Sequence, residues 1–351
     1  LGPACPVPMR SSLTLRLVQR LTPILLLGAR MTLARESNAA PARPLGPAGP
    51  VRSVVRVGES APHNAFTDLV RWQDRWWCVY REGQAHVSPD GAIRVLVSED
   101  GQRWTPAARL TSARGDLRDP HVAVMPDGRL MLYGAAALPP GGTARHQSLA
   151  WFSADGREWS AEVPVGEPDV WLWRVAWNGP EALGVGYDTR GERFVRLYVS
   201  RDGRAYESRV SFLQTDPNPN EAGLAFLPDG TAVCLLRRDG QPGTAKLGRA
   251  QPPYREWEWR DLGVRIGGPQ LIRLPDGRWV AGVRLHDGAV RTGICRVDLE
   301  AGRLRELVTL PSGGDCSYPG LVWHAGELWA SYYSSHEGRT MVYVARVALP
   351  D

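Results

Sequence analysis

The stretch SYPGL, residues 317–321, sets Tyr318 between a serine and a proline just ahead of a run that alternates like a β-strand. Three arginines, Arg81 in CVYREG, Arg237 in AVCLLRR and Arg284 in WVAGVRLHD, each close a strand-like run, and Glu221 in NEAGLAF opens one. Arginine's fixed, permanently charged fork suits a planar anion such as a carboxylate. Taken singly, each residue has a plainer reading: a rim aromatic packed on the next loop for the tyrosine, a solvated surface for each arginine. His86, in the loop EGQAHVSPDGA, has a side chain able to donate a proton, although a lone loop histidine is usually just solvated. Asp90 in the same loop sits in an Asp-Gly pair and reads as a turn residue.

What must position these residues is a repeat. A strand, a tight turn and a second strand recur as LVRWQDRWWCVYRE, VAVMPDGRLMLYG, RVAWNGPEALGVGY, LAFLPDGTAVCLLRR, LIRLPDGRWVAGVRL and LVWHAGELWASYY. Their turn residues Asp74, Asp127, Asn178, Asp229, Asp276 and Ala325 are spaced by 53, 51, 51, 47 and 49 residues, so six near-equal units follow. Each hairpin precedes a second strand pair, which predicts an all-β fold: a six-bladed β-propeller of four-stranded antiparallel blades, its edges removed by closure into a ring. The last unit is one strand short, and VRSVVRV at 51–57 is expected to supply it. The three arginines end the second strand of their hairpins, whereas Glu221 and Tyr318 precede the first. In antiparallel hairpins those ends share an edge, so all five are expected at one mouth of the ring.

The second hairpins carry S-x-D-G-x-x-W at Ser98/Asp100/Gly101/Trp104 and Ser153/Asp155/Gly156/Trp159, and a variant ending in Tyr206 at Ser200/Asp202/Gly203. The aspartate can accept backbone N–H bonds within its own turn and the glycine supplies a positive φ, so these residues are read as structural. Three such motifs in a six-unit propeller resemble the Asp-box (BNR) repeats of the sialidase, or neuraminidase, superfamily, over roughly residues 58–349, although they are one residue shorter than the usual S-x-D-x-G-x-x-W. The resemblance implies an exo-glycosidase that hydrolyses a terminal acidic sugar such as an α-sialoside without metal or organic cofactor. It implies that Arg81, Arg237 and Arg284 bind the carboxylate, that Tyr318 is the nucleophile and that Glu221 is its base. It also implies that Asp119, in LRDPHV, or His86 is the acid. The usual acid aspartate has no clear counterpart between Arg81 and the first box, and Glu82 directly follows Arg81. A non-catalytic carbohydrate-binding propeller, or a hydrolase or lyase of the same fold acting on another polysaccharide, therefore stays open.

Two further positions are weighed. Trp173, with Trp171, Val175 and Trp177 on one face of VWLWRVAW, either stacks on sugar or belongs to a packed blade face. His336, in SSHEG, is expected near the mouth as a pocket residue or a turn.

Composition excludes other classes. The net charge of +5 arises within residues 1–50, which hold six arginines against Glu36, so the remainder is formally neutral and lacks the footprint of nucleic-acid binding. Cys78, Cys234 and Cys295 lie in apolar runs and read as buried; no CxxC or His/Cys spacing marks a zinc site. Residues 1–50 read as a disordered or partly signal-like leader and 51–351 as a single propeller domain. Translation from Met9 would add a weak export signal and a secreted or periplasmic destination; translation from Met31 would leave a cytoplasmic protein. No run approaches the length of a membrane span, and a monomer that takes a carbohydrate is expected.

Overall fold

The computed structural model describes residues 49–350, and the expectations for the leader concern residues outside these. Six four-stranded antiparallel sheets follow in sequence. Their first strands are His63–Trp72, Asp116–Val124, Val170–Asn178, Pro219–Phe226, Ile266–Arg273 and Cys316–His324, and these adjoin one another around the axis. This is the six-bladed propeller, and no α-helix occurs among the described residues. Blade six is completed by Val51–Gly58, which pairs antiparallel with the last strand, Met341–Val347. The first and last strands among the described residues thereby close the ring, supplying the strand that the last unit lacked.

The core is divided into wedges between neighbouring blades. Trp77, Val79 and Ile93 of blade one pack with Leu117, Leu132 and Trp151 of blade two, and Phe66, Trp76 and Tyr80 pack with Trp329, Tyr333 and Val344 of blade six. Each sheet is covered on both faces, which is why its strands read as near-continuous apolar runs. Cys78, Cys234 and Cys295 are buried in these runs as free thiols.

The outer turns are closed by their own hydrogen bonds, and their glycines sit against the neighbouring blade, Gly101 on Trp329, Gly156 on Trp77 and Gly203 on Met131. Asp100 Oδ1 accepts from the backbone N–H groups of Gln102 and Arg103, each at 2.8 Å, and Ser98 Oγ accepts from Gly101 N–H at 2.8 Å. Asp155 and Asp202 repeat the arrangement. Blade four keeps the geometry with different residues: Tyr254 takes the glycine's place at φ 63°, and its carbonyl accepts from Trp257 Nε1–H at 3.1 Å.

One irregularity recurs in every blade. Each first strand carries one residue more than its partner near its N-terminal end, with register shifts between Ala65 and Thr67, Arg118 and His121, Leu172 and Arg174, Pro219 and Ala222, Gly267 and Gln270, and Ser317 and Gly320. An inserted residue interrupts the alternation and re-aims a side chain. The six bulges contain Phe66, Asp119, Trp173, Glu221, Gly268 and Tyr318, so each blade presents a residue of its own to the same end of the ring.

Candidate functional site

Glu221 and Tyr318 were expected ahead of their strands, and they lie inside them, at the bulges of blades four and six. Tyr318 has φ 53°, a conformation that bulky side chains rarely adopt. It is held by the surrounding structure: Thr67 Oγ1 donates to the Tyr318 carbonyl at 2.9 Å, and Phe66 and Trp173 meet the ring edge-on at 5.4 and 5.7 Å. Gly268, at φ 53°, faces that ring so closely that a Cβ there would lie 2.6 Å from the Tyr318 ring. Only glycine leaves room for the phenol at this point.

The Tyr318 hydroxyl donates to Glu221 Oε1 at 2.7 Å, and Arg237 Nη1 donates to both atoms, at 3.0 and 2.7 Å. The second carboxylate oxygen, Oε2, accepts the Gly268 N–H at 2.7 Å. Glu221 is thus oriented by a backbone donor on one side and a cation on the other, facing a tyrosine proton. Burial and the Glu221 charge push the phenol well above its ordinary pKa, against the pull of Arg237 and Arg284, so the resting tyrosine is neutral. The geometry allows proton transfer from Tyr318 to Glu221, with Arg237 favouring the phenolate that results.

Arg284 stacks its guanidinium 5.0 Å from the centre of the Tyr318 ring and donates to Tyr333 Oη at 2.8 Å and Asp315 Oδ1 at 3.0 Å. Arg237 is steadied from outside by Asp239, with Nε 3.0 Å from Oδ1. Both arginines remain partly open to solvent.

Arg81 is placed differently. It is fully buried, with Nε donating to Asp116 Oδ1 at 2.9 Å and the two terminal nitrogens held by the Ala85 carbonyl and by Ser88. Its register position beside the bulge matches that of Arg284, since Arg81 pairs with Ala65 as Arg284 does with Gly267. The chain at Gly91 passes over the ion pair, where a Cβ would fall 1.7 Å from Asp116 Oδ1. Gly91 is therefore required by close approach, and the Asp-Gly pair serves more than a turn. Arg118, which the sequence did not single out, stands at the mouth instead. Its guanidinium lies over Phe66 at 5.4 Å, its Nε lies 3.9 Å from Asp119 Oδ2, and that Nε is buried without a hydrogen-bond partner. Its only signal in the sequence was adjacency to Asp119.

Asp119 occupies the bulge of blade two at φ 47° and is 5% exposed. Burial raises its pKa to about 7, with the Glu221 charge adding to the rise and Arg118, His86 and Arg81 opposing it. A carboxyl that stays protonated near neutrality is suited to donate a proton. His86 is half exposed and bonded through Nδ1 to Asp315 Oδ2 at 2.9 Å, and its ring abuts Phe66 at 5.2 Å. Trp173 is buried and forms part of the wall beneath Tyr318 together with Trp171, Ala135 and Tyr187. His336 turns into blade six, its ring against Tyr343 at 5.3 Å and its Nδ1 at 2.9 Å from Ser334 Oγ.

Below the bulges, Asp68 ties three blades across the axis. It accepts from Arg174 Nη1 at 2.8 Å and Val122 N–H at 3.0 Å, and His121 Nδ1 lies 3.6 Å away. This buried pair braces the strands that carry Asp119 and Trp173.

No protein-family model matches the chain, and no curated protein matches it in sequence. Solved structures do match in fold. A Dyadobacter fermentans protein of unknown function superposes with a TM-score of 0.73 at 20% identity, covering 86% of this chain and 99% of that one. A Penicillium chrysogenum α-L-arabinanase, solved with arabinobiose, gives 0.65 at 14% identity, covering 85% and 98%. Trypanosoma rangeli sialidase, solved with the inhibitor DANA, gives 0.60 at 12% identity over 84% of this chain. This chain spans 58% of that sialidase's length. These likenesses establish the propeller fold.

Proposed function

We propose that the protein is an exo-glycosidase acting on a terminal acidic sugar, with a sialidase-like mechanism. Tyr318 attacks the anomeric carbon as Glu221 takes its proton and Asp119 protonates the leaving oxygen; water, deprotonated by Asp119, then cleaves the glycosyl–tyrosine bond while Glu221 returns its proton to Tyr318. Arg237 and Arg284 bind the sugar carboxylate, and Arg118 takes the third place expected of Arg81. The observation that carries the reading is the 2.7 Å bond from Tyr318 to Glu221, bridged by Arg237. A tyrosine suits an anomeric carbon that bears a carboxylate, because a carboxylate nucleophile would be charged at rest and repelled, whereas Tyr318 stays neutral until its proton passes to Glu221. The fold shared with glycoside hydrolases supports the class without deciding the substrate.

The test is fluorescence release from 4-methylumbelliferyl α-N-acetylneuraminate by wild type, Tyr318→Phe and Glu221→Gln. Turnover by the wild type with a loss of at least about a hundredfold in each variant is expected. Wild-type rates in Tyr318→Phe would exclude the covalent step. A second reading, a hydrolase of the same fold acting on another polysaccharide, is favoured by the burial of Arg81, which removes one of the three expected carboxylate ligands. Turnover of an α-L-arabinofuranoside with none of the sialoside would select it.

A further inference from the structure

Three side chains at the seam where the ring closes remain outside this reaction as hydrolytic groups. His63 opens the first strand of blade one, His86 lies in the loop after its second strand, and Asp315 immediately precedes the first strand of blade six. Their donor atoms converge, all within 4.8 Å of one another. Asp315 Oδ2 lies 2.9 Å from His86 Nδ1 and 3.4 Å from His63 Nε2.

We propose that His63 Nε2, His86 Nδ1 and Asp315 Oδ2 bind a divalent transition-metal ion, Zn²⁺ foremost, which staples blade one to blade six at the mouth. Two imidazoles and one carboxylate are the borderline N/O donor set that suits zinc better than calcium or magnesium. With bonds of about 2.0–2.1 Å, the ligand atoms of a tetrahedral site stand about 3.3–3.4 Å apart; around Asp315 Oδ2 the spacings are 2.9 and 3.4 Å, and the imidazole atoms lie within 4.8 Å of each other, so side-chain rotation alone brings the three donors to that geometry. The fourth position is left for water on the solvent side, where His86 is half exposed.

The surroundings fit this role. The other oxygen of Asp315 accepts from Tyr333 Oη at 2.7 Å and from Arg284 at 3.0 Å, so the carboxylate is fixed with Oδ2 turned toward the two imidazoles, whose contacts with it an ion would replace. Phe66 packs against both imidazole rings, edge-on to His86 and tilted to His63. His63 is also held by its backbone, through a bridge to Thr340 of blade six. The same carboxylate that would bind the ion positions Arg284 over Tyr318, so occupancy of the site would steady that arginine as well as the seam.

The experiment is titration of the chelator-stripped, full-length protein with Co²⁺ and Zn²⁺, read by the visible bands of tetrahedral Co²⁺ and by calorimetry. Saturable binding of one ion per chain is expected, abolished by His86→Ala and by Asp315→Asn. Tyr333→Phe, which loses a bond to the ligating carboxylate, is expected to weaken it about tenfold. His86 is a half-exposed loop residue, and thermal melts of the metal-free variants verify that they fold. Absence of saturable binding to the wild type, or unchanged binding in both His86→Ala and Asp315→Asn, would overturn the proposal. The readout requires no turnover, so it stands or fails separately from the proposed glycosidase activity.

Discussion

Asp119 is a carboxyl whose ionisation depends strongly on the fold. Its folded-state pKa of about 7 lies above the ordinary carboxylate value, so the folded protein binds the extra proton between roughly pH 4 and pH 7. Stability therefore falls as pH rises through that window, and above it the folded state carries the full cost of a buried charge. Asp119→Asn removes the ionisation and nearly keeps the shape. Melts of the two proteins are expected to coincide near pH 4, with the variant more stable by about 2–4 kcal/mol at pH 8.5. An identical gap at both pH values would show that the carboxyl is not buried in its neutral form. Gly268 offers a second residue-level test. Alanine there would place a methyl 2.6 Å from the Tyr318 ring at a φ of 53°. Gly268→Ala is expected to displace Tyr318 from Glu221, to lower any hydrolytic rate sharply and to cost on the order of 1–3 kcal/mol in denaturant melts. An unaltered melt and rate would mean that the ring has room to move.

Among the elements, the first strands carry Asp119, Glu221 and Tyr318 while the second strands carry Arg237 and Arg284, and the bulge is the device that brings the first group to the mouth. A regular strand would send alternate side chains into the two inter-blade wedges, both of which are apolar. The inserted residue releases one side chain from that alternation, which is how Asp119, Glu221 and Tyr318 reach the mouth from strands otherwise filled with core residues. A bulge is hard to read in a sequence because it leaves both flanking apolar patterns intact. Glu221 and Tyr318 therefore looked like residues ahead of a strand, and the equivalence of Phe66, Asp119, Trp173 and Gly268 to them could not be seen. The closing strand, by contrast, was legible from counting alone. Deleting Val51–Val57 would leave blade six with three strands and expose the edge of Met341–Val347. Loss of a cooperative melt is expected; a sharp transition at the wild-type temperature would show that the ring closes without that strand.

At the scale of the whole molecule, the hairpin spacing and the recurring turn motifs by themselves determined six blades, their strand number and the end of the ring at which Arg237, Arg284, Glu221 and Tyr318 collect. Those features are local: turn chemistry, strand length and apolar periodicity repeat every fifty residues or so and report directly on backbone geometry. Tertiary structure alone decided what each group at the mouth touches. Arg81 and Arg284 occupy matching register positions, yet Asp116 and the loop through Ser88 enclose one while the other remains beside Tyr318. Arg118 stands at the mouth beside the bulge that carries Asp119, its guanidinium over Phe66 of the neighbouring blade. His63 and Asp315 are 252 residues apart in the chain and meet only because the last blade closes on the first. Burial and electrostatic partnership depend on neighbours contributed by other blades, and a one-dimensional pattern holds no record of them.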